Sequence, residues 1–185
     1  METLALFFCA GGTHAHHHLD TVQKDSGDGV DDPCGPYAAE LYSDTGGLTQ
    51  FGAFVEILPP GSRSSVKHWH KGEDEMVYML SGEVLLHEGD TITPLHVGQA
   101  ATFKASVAAG HCIENASDTE ARYLVIGTRS SGDTVTYPDN DRIGHFERKG
   151  TERTRRWTHH DGTPADSPYS TRRNKKGAKP VDPTP

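Results

Sequence analysis

The stretch His68-Trp69-His70-Lys71-Gly72-Glu73-Asp74-Glu75-Met76-Val77-Tyr78-Met79-Leu80-Ser81-Gly82 joins a polar arm dense in metal-ligating side chains to an apolar run of strand length that stops at a turn. On a strand, residues two apart share a face, so His68 and His70 present both imidazoles to one side while Trp69 faces the other. The short polar connection from Lys71 to Asp74 lets the chain reverse, and Glu75 opens the next strand with Val77 and Met79 on its own face. A carboxylate opposite two imidazoles adds an oxygen ligand of the kind a hard or borderline divalent ion accepts. His68, His70 and Glu75 are therefore candidate metal ligands.

Outward from this stretch the texture stays the same. Leu48 to Leu58, Glu75 to Leu80, Glu83 to His87, Thr91 to Leu95, Ala100 to Lys104, Cys112 to Asn115 and Arg122 to Ile126 are apolar runs of strand length. Pro59-Pro60-Gly61, Ser81-Gly82, Glu88-Gly89-Asp90, Val97-Gly98 and Asn115 to Thr119 fall between them as turn signals. Helical periodicity is missing from this region, so an all-β sandwich or barrel is expected.

The pattern from Gly61 to Gly82, with His-x-His, four intervening residues, Glu, and six residues before Gly, resembles the first motif of the cupin superfamily. His111, followed after three residues by Asn115, resembles the second. Leu48-Thr49-Gln50-Phe51-Gly52, Leu58 to Ser62, Tyr137-Pro138-Asp139 and Asp161-Gly162-Thr163-Pro164 are similar to a group of small microbial cupins, so the likeness spans residues 45 to 165. It departs from the usual pattern at three points: six residues rather than five separate Gly61 from His68, Ala108 stands where proline is usual, and Gly110 abuts His111. The resemblance implies a single double-stranded β-helix barrel, jelly-roll-like, whose mouth holds one divalent ion on His68, His70, Glu75 and His111. Iron, zinc, manganese and nickel all suit such a donor set.

Composition divides the chain further. Residues 1–36, rich in Gly, Asp and His, are expected to form a flexible leader, 37–147 the barrel with its core motifs in 58–127, and 148–185 a basic, disordered tail. Residues 1–141 carry 7 Lys+Arg against 21 Asp+Glu, whereas residues 142–185 carry 11 against 5. An acidic body argues against nucleic-acid binding, and the tail's Arg172-Arg173-Asn174-Lys175-Lys176 is read as a solvated end. The apolar run Leu4 to Ala10 is too short to span a membrane and lacks the positive flank of a signal peptide, so a cytoplasmic location is expected. Cys9, Cys34 and Cys112 show no paired spacing and are taken as free thiols. The run His14, His16, His17 and His18 has no fixed oxygen or sulfur ligand beside it and is read as adventitious.

Glu73 and Asp74 are expected to be solvated, His87 and His96 to lie outside the site, and Trp69, Tyr78 and Phe103 to serve packing. Four protein ligands on an ion that prefers six leave two positions open, which favours a metal-dependent enzyme acting on a small oxygenated molecule. Dioxygenation suits iron; isomerase, lyase or decarboxylase chemistry suits zinc, manganese or nickel. A non-catalytic small-molecule binder or sensor is the alternative, and a storage role ranks below both. A homodimer is expected, with Tyr37 to Phe54 placed to offer an open sheet edge.

Overall fold

The computed structural model describes residues 16–149 and 152–169. Its strands are β1 (Lys24–Gly27), β2 (Tyr37–Glu40), β3 (Phe51–Leu58), β4 (Trp69–His70), β5 (Glu75–Ser81), β6 (Glu83–Glu88), β7 (Thr91–His96), β8 (Ala100–Phe103), β9 (His111–Glu114), β10 (Ala121–Thr128), β11 (Gly132–Tyr137), β12 (Arg142–Lys149) and β13 (Glu152–Thr158). Helix among the described residues amounts to one turn, α1 (Tyr42–Thr45), and a 3-10 turn at Pro138–Asn140. The expected all-β fold is borne out, and each of the seven strand-length runs seen in the sequence overlaps a strand.

Exposure along β5 shows why. Val77 and Met79 are buried while Tyr78 and Leu80 are open, the period of two that belongs to a strand with one face on a core. All pairings are antiparallel, in sheets of order β1-β2-β3-β10-β5-β8, β13-β12-β11-β4 and β7-β6-β9. The core, which includes Leu58, Val77, Met79, Val84, Leu86 and Tyr123, draws on the six-stranded and the three-stranded sheets.

Two residues of the motifs close the turns. Gly82 sits at φ +73 between β5 and β6, and a Cβ there would come within 2.8 Å of the Glu120 carbonyl oxygen, so only glycine fits. Asn115 is fully buried. Its Nδ2 donates to the carbonyls of Leu58 (2.7 Å) and Thr119 (2.8 Å), and its Oδ1 accepts from the backbone N–H and hydroxyl of Ser117, which ties the β9–β10 turn to the end of β3.

The structure departs from the sequence reading at the ends and at one edge. Strand β1 lies inside the expected leader and β13 inside the expected tail. β13 is almost wholly polar, and it is held by its ladder with β12, by Arg155 lying 4.9 Å from the Phe146 ring centroid, and by Trp157 packed edge-on against Phe146. The open edge expected along Tyr37 to Phe54 is closed as well: β2 pairs with β1 and β3, and β3 pairs with β2 and β10. Cys34 and Cys112 are free, as expected, and both are buried, Cys34 within the expected leader. The Leu4 to Ala10 run, Cys9, His14 and the basic run at 172–176 lie outside the described residues.

Candidate metal centre

Three separate stretches of chain meet at this centre. His68 precedes β4 and His111 opens β9, and the two exchange backbone hydrogen bonds: the His68 N–H donates to the His111 carbonyl (3.1 Å) and the His111 N–H to that of His68 (2.8 Å). His70 lies on β4 opposite Val135 of β11. Glu75 opens β5, opposite Gly127 of β10 and Phe103 of β8. The connection between them is pinned, because the Asp74 carboxylate accepts the Ala105 N–H at 2.7 Å while the Asp74 N–H donates to the Thr128 hydroxyl at 2.9 Å.

The donor atoms of His68, His70 and Glu75 lie within 4.8 Å of one another. Glu75 Oε2 is 3.4 Å from His70 Nε2 and 3.0 Å from His111 Nε2. The rings of His70 and His111 each stand 5.0 Å from that of His68, centroid to centroid. Phe103 stacks on His111 at 3.7 Å, nearly parallel, and so fixes the plane of that imidazole.

The outward nitrogens are held too. His70 donates its Nδ1–H to Asp133 at 2.6 Å, and Asp133 in turn accepts the Gly72 N–H at 2.7 Å. His68 donates its Nδ1–H to the Val66 carbonyl at 2.9 Å. With each Nδ1 protonated, each Nε2 carries a lone pair, the tautomer a metal ligand needs.

Charge at the centre is set by burial against neighbours. Burial pushes the His68 imidazole down to about 4, with the adjacent His70 adding to the fall. For His70 burial acts the same way, but the Asp133 hydrogen bond and the Glu75 charge outweigh it and raise its pKa. Burial opposes ionisation of Glu75, yet the His111 hydrogen bond and the charges of His70, His68 and His111 outweigh it and hold the carboxyl at about 2. A neutral imidazole and an ionised carboxylate are the forms in which these side chains coordinate; His68 and Glu75 are held in them, and His70 would release its Nε2 proton as an ion binds. The donor set therefore fits one divalent ion.

All four residues singled out in the sequence thus gather in one place. Glu73 does not behave as the solvated turn residue expected, since its Oε1 accepts both the N–H (2.7 Å) and the hydroxyl (2.9 Å) of Ser130, and it groups with His70 and Asp133. His87 lies apart, paired with Glu114 at 2.6 Å. Phe103 does more than fill the barrel. The sequence reading missed Asp133, which nothing marks at a separation of 63 residues from His70. It also missed Glu56, whose signal was present: a carboxylate amid Phe54-Val55-Glu56-Ile57-Leu58.

His68, Glu75 and His111 open onto a cavity of about 180 Å³, walled by Phe54, Val77, Phe103, Ile113 and Val125, with Glu56, Ser64, Ser65 and Tyr123 as its other polar groups. Among the described residues no lysine or arginine lines it. The family profile for the cupin domain matches residues 54–127, and Protein SchB of Streptomyces halstedii is 30% identical over 120 residues, covering 65% of this chain and 80% of that protein. The chain belongs to the cupin superfamily. This cupin is also 33% identical over 69 residues to the oxalate-binding protein of Thermotoga maritima, which spans 37% of this chain and 54% of that one. Among solved structures, a cupin described as a sugar phosphate isomerase from Silicibacter pomeroyi superposes with a TM-score of 0.72 at 28% identity, covering 83% of this chain and 98% of its own.

Proposed function

We propose that this cupin is a metal-dependent enzyme acting on a small oxygenated molecule, with one divalent ion held by His68, His70, Glu75 and His111. The observation that carries this reading is the convergence of three imidazoles and an ionised carboxylate at the mouth of a largely apolar cavity. When bound, a divalent ion supplies Lewis acidity and open positions for a ligand's oxygen atoms. The chain's own part is to hold the two Nε2 lone pairs through Asp133 and Val66, fix the His111 ring through Phe103, and exclude water with the apolar walls.

The names of the relatives, a sugar phosphate isomerase and an oxalate-binding protein, both point to ligands rich in oxygen donors. Among the described residues the cationic side chain beside the centre is Lys104, which lines the smaller pocket on the side of His70 and not this cavity, so an anionic group of the ligand is best placed at the candidate centre and the part that enters the cavity is best uncharged. Isomerase, lyase or decarboxylase chemistry on such a molecule fits this division better than a reading tied to iron. A non-catalytic small-molecule binder is the second reading, favoured by the oxalate-binding relative.

Metal analysis by mass spectrometry of untagged protein tests the proposal. One equivalent of metal per chain is expected, falling at least about tenfold in His68→Ala and in His70→Ala and unchanged in His16→Ala. Unchanged metal content in His70→Ala would sink the ligand assignment. No stoichiometric metal in the parent protein would overturn the enzyme reading.

A further inference from the structure

Strand register divides the inner face of the six-stranded sheet into levels. Glu75 stands level with Gly127 and Gly52, Val77 with Val125 and Phe54, and Met79 with Tyr123 and Glu56. Glu56 and Tyr123 therefore lie four residues along the strands from Glu75, about 13 Å at the usual rise, with one apolar level between. The register between β10 and β5 shifts between Arg122 and Tyr123, at this same level.

Both side chains line the same cavity as the candidate metal centre. Tyr123 is fully buried, and its hydroxyl makes no hydrogen bond among the described residues. The Glu56 carboxyl and the Ser64 hydroxyl both lie near enough to influence that hydroxyl, though neither is in hydrogen-bonding geometry with it. Buried polar groups are as a rule satisfied, and a hydroxyl without a well-aligned partner beside a buried carboxyl, both facing open volume, is placed to take a polar partner that enters the cavity.

We infer that Glu56 and Tyr123 form a second recognition site at the deep end of the cavity, which takes an uncharged hydroxyl or carbonyl oxygen of the ligand whose other end sits at the candidate metal centre. The inference rests on the proposed function, since the centre supplies the first anchor. It names the ligand class: a molecule with an anionic or chelating oxygen group at one end, an apolar middle matched to Val77, Val125 and Phe54, and a neutral oxygen at the other.

The state of Glu56 sets the sign of this preference. Burial pushes its pKa up to about 7, with Tyr123 pulling it down and Glu75 pushing it up. Below neutrality it is a carboxylic acid able to donate a hydrogen bond to a neutral oxygen; above, its charge repels an anionic one. The other titratable groups that face it are Tyr123 on β10, Glu75 on β5 and Tyr37 on β2, with His68 and His111 across the cavity.

Calorimetric titration of the metal-loaded protein below neutral pH tests this, with ω-hydroxy acids of increasing chain length against the parent acids and the corresponding diacids as probes. At one chain length the hydroxy acid is expected to bind about tenfold more tightly than both comparators, the advantage of one buried hydrogen bond. Tyr123→Phe and Glu56→Leu, both of which roughly keep the volume of the side chain, are expected to abolish the advantage of the hydroxy acid over its parent acid. In the infrared, the acid carbonyl stretch assigned by its loss in Glu56→Gln should shift with the hydroxy acid and not with the parent acid.

Parent acids that bind without any hydroxyl preference, or a preference that survives in both variants, would overturn the inference and leave the proposed function standing. Binding of none of the acids to metal-loaded protein would overturn the inference, and an absence of stoichiometric metal would overturn the proposed function with it.

Discussion

Glu56 shows how one side chain can trade stability for use. A carboxyl whose pKa stands near 7 in the folded chain, against an ordinary value of 4.5, keeps a proton that the unfolded chain releases. Its contribution is fully present below the ordinary value and is lost as pH rises through about 7. The loss is on the order of 3 kcal/mol across that window. Glu56→Gln removes the titration, so its melting temperature relative to the parent should climb by roughly 5–10 °C between pH 5 and pH 8. Thermal melts with parallel pH dependence in the two proteins would show that Glu56 is not held protonated. Asp133 is the complementary case at the same scale: a carboxylate that holds His70 by one hydrogen bond and the Gly72 N–H by another, and so carries the orientation of a candidate ligand from a strand far along the chain.

At the scale of elements, the strands are joined by turns that the motif residues close. Asn115 satisfies two carbonyls and two donors in a fully buried position, so that it couples the β9–β10 turn to the start of the Pro59-Pro60-Gly61 turn. Gly61 donates its N–H to the Asn115 carbonyl at 2.8 Å, and the Asn115 N–H donates to Ser62 at 2.9 Å, which makes the two turns one unit. Asn115→Ala would strand the carbonyls of Leu58 and Thr119, at a cost of about 3 kcal/mol. Chemical denaturation measures this directly, and a cost below about 1 kcal/mol would mean that water replaces the amide. Because His111 leads the same strand, bound metal should fall along with stability.

On the scale of the whole molecule, the outer face of the six-stranded sheet leaves Tyr78 and Leu80 of β5 at 40% and 43% exposure, beside the half-buried Leu124 and Ile126 of β10. An apolar strip of this kind on an otherwise acidic chain favours contact with a second copy. The homodimer expected from the sequence would use this face and not the edge of β2, which β1 already covers. Light scattering at micromolar concentration should give twice the chain mass of 20.1 kDa, and Tyr78→Lys/Leu80→Asp should give one chain mass with the strand content intact. A monomeric parent protein would end the proposal.

The fold class and three of the candidate ligands were legible along the chain because they depend on local chemistry. Strand length, glycine and proline punctuation, and the shared face of His68 and His70 are properties of neighbours, and Glu75 opens the strand that follows. His111 needed the resemblance to a known motif, since one histidine at a strand start carries no signal by itself. Strand β13 was hidden because its side chains are polar, and a ladder to β12 and one aromatic cluster hold it where apolar patterning does not. Asp133 behind His70, the Phe103 ring on His111, and the pairing of Glu56 with Tyr123 below the centre are contacts between residues 8 to 67 positions apart. The register of antiparallel strands brings Asp133 to His70 and Glu56 to Tyr123, and the packing of one sheet on another brings Phe103 onto His111; both follow from the packing of all the inward faces at once.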